Sequence, residues 1–406
     1  VNTDLGHRST TSDGKWAYNN PQGEIDFYYR ATHATAQAGK AILDRAYGKS
    51  AERAYYKGCS TGGRQGLISA QRFPDDFDGI IVGAPAGVSA GGGLHLIWSA
   101  LANLDKNGSA IMPSSKVPML AKAVMDKCDG IDGLKDGLID DPRRCDFDPA
   151  SLACKRGQNR EQCLTDAEIG VVRKLYSGAL DSNGKQIYTA TPMYGSEPTW
   201  VPFLIGENGQ KPLYYYFGGD FFRYLAFAED PGPSWMPEDF DFDRDPPRMG
   251  YNRHLNNAAD PDLRAFKARG GKMIAYQGWR DYSVPPLGVV DYYENVEKLM
   301  DGRGPTQDFF RLFMLPGVDH CAGGAGPSRM DVVTALENWV ERGVAPDELT
   351  VYKLRSDPGM LGTVFFPVDT GDVEMSRPVY PYPAAARYVG QGDPTRRENF
   401  TKVNSN

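Results

Sequence analysis

The sequence predicts an α/β protein, a parallel sheet covered by helices and divided by a large insertion. Three observations carry the prediction. A serine stands between glycines where a strand must turn sharply into a helix. Apolar runs alternate with amphipathic helices near both ends of the chain, and the middle shifts to Gly, Asp, Pro and aromatic residues. With 406 residues the chain can hold two domains, or one domain with a big insertion. Residues 1–87 read as the first part of the core, 88–266 as an inserted lid, and 267–406 as the second part of the core with a C-terminal tail.

The elements follow in order. Arg53–Tyr56 is short and partly aromatic, like a buried strand, and Gln65–Arg72 sets Leu67, Ile68 and Gln71 at helical spacing before Pro74 stops the helix. Between them Gly58-Cys59-Ser60-Thr61-Gly62 fits G-x-S-x-G, a turn that exposes a serine hydroxyl and in which side chains at Gly58 and Gly62 would collide with their neighbours. Gly79–Ala86 reads as the next parallel strand, so the serine turn lies inside a βαβ unit. In the insertion, Ser115–Lys127 and Asp166–Ser177 read as helices separated by long turns. Strand character returns at Lys272–Tyr276 and Phe309–Leu315, and a helix covers Asp331–Arg342.

Composition narrows the partners. A net charge of −7 without long runs of one sign argues against nucleic acid or an anionic membrane surface, and no apolar stretch is long enough to span a bilayer. The chain opens on Val1 with neither Met nor signal peptide, so it is expected to be processed or truncated. The six cysteines are Cys59, Cys128, Cys145, Cys154, Cys163 and Cys321, and their even number favours an oxidising compartment, secreted or periplasmic. Local pairs Cys128–Cys145 and Cys154–Cys163 are the simplest connectivity for the middle four. A zinc site is disfavoured, because no C-x-x-C pair occurs and no histidine lies among them.

A serine nucleophile needs a base, and the base needs a group that fixes its tautomer. Of the five histidines, His7, His33, His95, His254 and His320, only His320 lies in a loop just past a late core strand. Asp281, at the end of the strand Lys272–Tyr276, is the acid expected from the order Ser, Asp, His. The alternatives are an Asp281 that merely pairs with Arg280 in a turn, and an Asp319 that directly precedes the histidine. A Cys59–Cys321 bridge would hold the serine and histidine loops together through their sequence neighbours.

In the insertion, Cys128–Asp141 packs five carboxylates among three glycines. Such a loop can aim hard oxygens at one point and suits Ca²⁺ in a structural role, with Asp129, Asp132 and Asp136 and the carbonyls of Leu134 and Leu138 as ligands, although the spacing is not that of an EF-hand. Phe217, Phe221, Phe222 and Trp235 are candidates to cover the acyl group that such a serine would take, and Arg223 to hold an oxygen of it.

With Gly58-Cys59-Ser60-Thr61-Gly62-Gly63, the Asp-rich loop, Gly278-Trp279-Arg280-Asp281-Tyr282 and Asp319-His320-Cys321 in this order, the chain resembles the tannase and feruloyl esterase family over nearly its whole length. The resemblance implies an α/β-hydrolase core, a calcium-bearing lid and hydrolysis of aromatic acid esters such as those of ferulate or gallate. Terephthalate monoesters are the alternative within the family, and a catalytically silent, calcium-stabilised binding module the alternative outside it. By position it implies Ser60, Asp281 and His320 as the triad, with Thr61 N–H as an oxyanion donor and Cys59–Cys321 as a disulfide. Two departures stand out. Only 59 residues precede the serine, so N-terminal strands are expected to be missing, with Val1–Gly6 the end of a mid-sheet strand and the chain a fragment or completed by another polypeptide. Where the family often has another cysteine pair this chain has Tyr380 and Lys402, so a looser tail is expected.

Overall fold

The structure, a computed structural model, describes residues 1–10, 12–87, 91–188, 191–256, 258–356 and 372–404. The expected start of the insertion, at Val88, lies outside them. Its centre is a parallel sheet of four strands, β1 (Tyr55–Cys59), β2 (Gly79–Gly83), β3 (Lys272–Gly278) and β4 (Phe310–Leu315), in the order β1-β2-β3-β4. The main helices, in chain order, are α1 (Ala31–Tyr47), α2 (Thr61–Arg72), α3 (Gly92–Ala102), α4 (Val117–Cys128), α5 (Asp166–Ser177), α6 (Leu213–Tyr224), α7 (Gly250–Asn256), α8 (Pro286–Leu299) and α9 (Val332–Arg342).

Alternation along the strands explains the layering, because successive side chains point to opposite faces. Ile80, Val82, Met273, Ala275, Phe310 and Leu312 meet Leu67 and Ile68 of α2 and Val289, Tyr293 and Val296 of α8 on one face. Ile81, Ile274, Tyr276, Phe313 and Leu315 meet Leu336 and Trp339 of α9 on the other. Strands β2 and β3 are buried on both faces, which is why they read as continuous apolar runs.

Strand β1 starts two residues later than its sequence suggests and runs up to the serine, in register with β2 from Tyr55↔Gly79 to Cys59↔Gly83. Strand β2 ends at Gly83 rather than Ala86, because Ala84 turns to a positive φ of 38° and gives its N–H to Tyr276 O. Val1–Gly6 is not a strand. Its short polar side chains satisfy the backbone locally: Thr3 Oγ1 accepts Leu5 N–H and Asp4 Oδ1 accepts Gly6 N–H, while Leu5 and Gly6 turn to positive φ. These bonds compete with a sheet ladder.

Between β2 and β3 the chain builds a second core of its own. Helices α4 and α5 pack there around Leu120, Val124, Val172, Leu175 and Trp200. The buried Lys116–Glu168 ion pair, at 2.7 Å, joins the start of one helix to the start of the other. After α9, β5 (Leu349–Leu354) pairs antiparallel with β6 (Val373–Val379), and β7 (Ala385–Tyr388) with β8 (Phe400–Val403). Lys402 Nζ sits over the Tyr380 ring at 5.6 Å, so the two positions expected to loosen the tail are in contact as a cation–π pair. Among the described residues no helix is long and apolar enough to cross a membrane.

Candidate active site

Ser60 sits at the junction of β1 and α2 with φ 61° and ψ −120°, a strained conformation for a residue with a side chain. Backbone bonds on each side hold the strain. Ser60 N–H donates to Gly83 O at 3.0 Å, and Ser60 O accepts from Arg64 N and Ala86 N at 3.0 and 3.1 Å. A Cβ on Gly58 would lie 2.6 Å from Gly62 C and O, so that glycine is required by close approach. Gly62 is not, because a Cβ there would meet only Tyr56 Oη, at 3.6 Å. The second tight glycine is Gly63, whose Cβ would come within 2.5 Å of Gly83 O and 2.9 Å of Pro85 Cα.

Asp281 follows β3 and is fully buried. Its Oδ1 accepts Ser283 N–H and Val284 N–H, both at 2.8 Å, and its Oδ2 accepts Gln277 Nε2 at 3.0 Å. His320 Nδ1 faces both oxygens, at 3.1 and 2.9 Å. A carboxylate accepts only, so Nδ1 carries the proton and Nε2 is left as the basic atom. Burial pulls the His320 pKa down, but the charge and hydrogen bonds of Asp281 outweigh it and hold it above the ordinary imidazole value.

The two other acidic readings are sorted by geometry. Arg280 Nε pairs with Asp319 Oδ1 at 3.0 Å and not with Asp281. Burial pushes Asp319 up to about 6, with Arg280 opposing and Asp281 adding to the rise. Gly278 permits the histidine loop to lie against the end of β3, since a Cβ there would be 2.2 Å from Val318 O.

All six cysteines are paired, as Cys59–Cys321, Cys128–Cys145 and Cys154–Cys163. The first bridge sets the Cα atoms of residues adjacent to Ser60 and His320 5.9 Å apart. The serine turn, the acid and the histidine loop thus meet at the carboxyl ends of β1, β3 and β4. Thr61 is the first residue of α2, where N–H groups have no intrahelical acceptor and the helix dipole is positive.

Ser60 opens on a cavity of about 280 Å³ whose lining includes Phe27, Tyr28, Arg64, Leu96, Phe221 and Val284. Of the five residues expected to bind an acyl group, the structure brings only Phe221 there. Phe222 is fully buried against Phe240, at 4.6 Å between ring centres, because the helical turn that points Phe221 at the cavity points its neighbour into a cluster with Leu94, Ile97 and Phe227. Phe217 packs against the α4–α5 core. Trp235 lines a separate depression with Asp245 and Arg248. Arg223 is engaged elsewhere, donating to Trp235 O at 2.6 Å and Asp220 Oδ1 at 2.9 Å.

Sequence reasoning missed Phe27 and Tyr28, for which no local signal exists. It also missed Arg64, which stands four residues after Ser60 on the same helix and was open to inspection. The buried Arg64 guanidinium lies over the Phe27 and Tyr28 rings and donates to Asn256 Oδ1 at 3.0 Å, while its Nε has no hydrogen-bond partner among the described residues. Burial lowers its pKa to about 10.

In the acidic loop, Asp129 Oδ1 accepts Asp136 N–H and Gly137 N–H, Asp132 Oδ1 accepts Leu134 N–H, and Asp136 Oδ1 accepts Leu138 N–H. Asp136 Oδ2 takes Arg377 Nη2 at 2.7 Å, and among the described residues no three such side chains close on one point as a metal cluster. The donor chemistry nonetheless fits a hard cation. Asp132, Asp136 and Asp140 line one small cavity, and burial with mutual repulsion raises Asp132 and pushes Asp140 to about 7. Asp140 was not among the expected ligands.

The sequence model of the tannase and feruloyl esterase family matches residues 1–216 and 235–403. A mono(2-hydroxyethyl) terephthalate hydrolase of Piscinibacter sakaiensis is 33% identical, covering 98% of this chain and 73% of its own. A probable feruloyl esterase B-2 of Aspergillus terreus is 32% identical, covering 97% of this chain and 74% of its own. The crystal structure of feruloyl esterase B from Aspergillus oryzae superposes with a TM-score of 0.84 at 28% identity, over 96% of this chain and 76% of that one. The chain belongs to the tannase and feruloyl esterase family and is a carboxylic ester hydrolase.

Proposed function

We propose that this chain is a serine esterase that hydrolyses esters of aromatic, phenolic acids through an acyl-enzyme. The observation that carries the reading is the buried Asp281–His320 pair, bridged by Cys59–Cys321 to the strained Ser60. His320 Nε2 removes the Ser60 proton as Oγ attacks the ester carbonyl, and Asp281 stabilises the imidazolium that forms. Thr61 N–H at the start of α2 receives the developing oxyanion. His320 then gives its proton to the departing alkoxide. Water, activated by the same imidazole, attacks the acyl-enzyme and frees the acid and Ser60.

The apolar walls supplied by Phe27, Leu96 and Phe221 suit an aromatic acyl group. The test is release of ferulic acid from methyl ferulate, with Ser60→Ala in parallel and stoichiometric labelling of Ser60 by a serine-directed phosphonate. Release and labelling that depend on Ser60 support the reading, whereas release that survives Ser60→Ala sinks the serine mechanism. Absence of labelling favours the silent binding module. Mono(2-hydroxyethyl) terephthalate is the second substrate to assay, because a relative named for its hydrolysis is 33% identical and the Arg64 guanidinium lines the cavity.

Calcium is proposed as a structural ion of the acidic loop, held by Asp129, Asp132 and Asp136 with the carbonyls of Leu134 and Leu138. What supports it is that Asp132, Asp136 and Leu138 line one small cavity together with Asp140, a concentration of hard oxygen donors. The three disulfides and the secreted character they favour fit an oxidising compartment.

A further inference from the structure

The turn that carries Asp281 is held from outside the core. The carbonyl of Tyr282 accepts His95 Nε2 of α3 at 2.9 Å and Tyr214 Oη of α6 at 3.0 Å. Both donors come from the insertion between β2 and β3. His95 is buried, and its Nδ1 faces Ser99 Oγ at 3.4 Å. A carbonyl accepts only, so the imidazole carries its proton on Nε2. Burial pulls this imidazole down to about 4, with the bond to Tyr282 opposing, so it keeps a single N–H across the working range. The side chain of Tyr282 repeats the link. Its ring lies 4.5 Å from Phe203 of the insertion and 6.4 Å from the His320 ring.

On the core side the turn is fixed by Asp281 itself, which accepts Ser283 N–H and Val284 N–H. Tyr282 C=O and Ser283 N–H belong to one planar peptide unit, so Asp281 holds that plane by its N–H while the two donors hold it by its carbonyl from the other side. We infer that His95 and Tyr214 are positioning residues, which lock the Asp281 turn so that its carboxylate meets His320 Nδ1 in the orientation that leaves Nε2 free for Ser60. The insertion thereby sets the base as well as covering the cavity. This rests on the proposed roles of Asp281 and His320.

The experiment compares Tyr214→Phe, His95→Ala and His95→Gln in the full chain, with methyl ferulate kinetics across pH and thermal unfolding of each variant. Tyr214→Phe keeps the ring, and His95→Gln keeps an amide N–H near the position of Nε2. Tyr214→Phe and His95→Ala are expected to lower kcat about tenfold with KM changed less than about twofold, and His95→Gln to recover most of the loss. In the two impaired variants the acid limb of kcat/KM moves to lower pH, because a loosened carboxylate no longer raises His320. In an Asp281→Asn background Tyr214→Phe costs nothing further.

A rise in KM at constant kcat would show a cavity wall and overturn the inference. So would an unmoved acid limb, or a His95→Gln as impaired as His95→Ala. Phosphonate labelling separates the layers. A wild type unlabelled at Ser60 refutes the underlying esterase mechanism, whereas a labelled wild type beside fully active variants refutes only the positioning role.

Discussion

Asp281→Asn keeps the side-chain shape and removes the charge, and the structure dictates how the amide must sit. Oδ1 accepts two backbone N–H groups at 2.8 Å, so the amide oxygen stays in that place. The amide nitrogen then falls at the Oδ2 position, 2.9 Å from His320 Nδ1 and 3.0 Å from Gln277 Nε2. Gln277 cannot turn its oxygen inward as compensation, since the same Nε2 also donates to Gly278 O and Val284 O. A donor facing Nδ1 makes that nitrogen the acceptor and moves the imidazole proton to Nε2, the atom that must take the serine proton. The imidazolium also loses its anionic partner. In Ser-His-Asp enzymes this exchange costs about 10⁴ in kcat, which at 1.36 kcal/mol per tenfold is about 5.4 kcal/mol of barrier. The assay is steady-state release of ferulic acid by Asp281→Asn and wild type, with unfolding temperatures to show that both are folded. A folded variant within tenfold of wild type would refute the assignment of Asp281.

Four further outcomes are expected. The acid limb of kcat/KM lies above the ordinary imidazole range, because His320 must be neutral to act and its pKa is raised; activity is therefore lost as pH falls through that value, and a limb at or below the ordinary range contradicts the buried pair. Cys59→Ala with Cys321→Ala destabilises more than Cys154→Ala with Cys163→Ala. For loops spanning 262 and 9 positions the chain-entropy estimates are about 5.6 and about 2.6 kcal/mol, and equal losses in denaturant unfolding would rule that account out. Gly63→Ala drives a Cβ into Gly83 O and Pro85 Cα and costs about 1–3 kcal/mol, while Gly62→Ala is tolerated; a reversed order in thermal unfolding contradicts the packing described. Chelation of calcium lowers the unfolding temperature, calcium at a thousandfold over Kd contributing about 4 kcal/mol, and an unfolding curve insensitive to both calcium and chelator counts against the ion.

What the sequence disclosed was local. The serine turn, its flanking strands and α2 were legible because glycine spacing and apolar periodicity act over a few residues, and α5 was read to its observed bounds. Cysteines beside Ser60 and His320 disclosed a contact between distant segments because a disulfide needs two partners and six cysteines left few choices. The cavity was not legible. Phe221 and Phe222 are adjacent aromatic residues, and which of them faces Ser60 depends on the rotation of α6 against α3, where Gly93 gives the Phe221 ring room. Phe27 and Tyr28 reach the cavity from a segment with no motif. His95 was weighed only as a rival base. Its partner is the backbone carbonyl of Tyr282, which carries no sequence signature. Val1–Gly6 misled because Thr3 and Asp4 satisfy the backbone locally and turn it away from extended conformation.

The sheet order also has a consequence for how the molecule comes to be. Strand β2 ends at Gly83 and its neighbour β3 begins at Lys272, so the central pairing of the sheet waits until the whole intervening segment has been made. Such long-range closure is slow. The serine turn, in a compact βαβ unit, emerges well before the acid and the histidine. Cys128–Cys145 and Cys154–Cys163 close over 17 and 9 positions, while Cys59 has to remain an unpaired thiol until Cys321 arrives. During that interval the residue next to Ser60 is the one most open to mispairing, and thiol exchange is the route by which a mispaired Cys59 reaches Cys321.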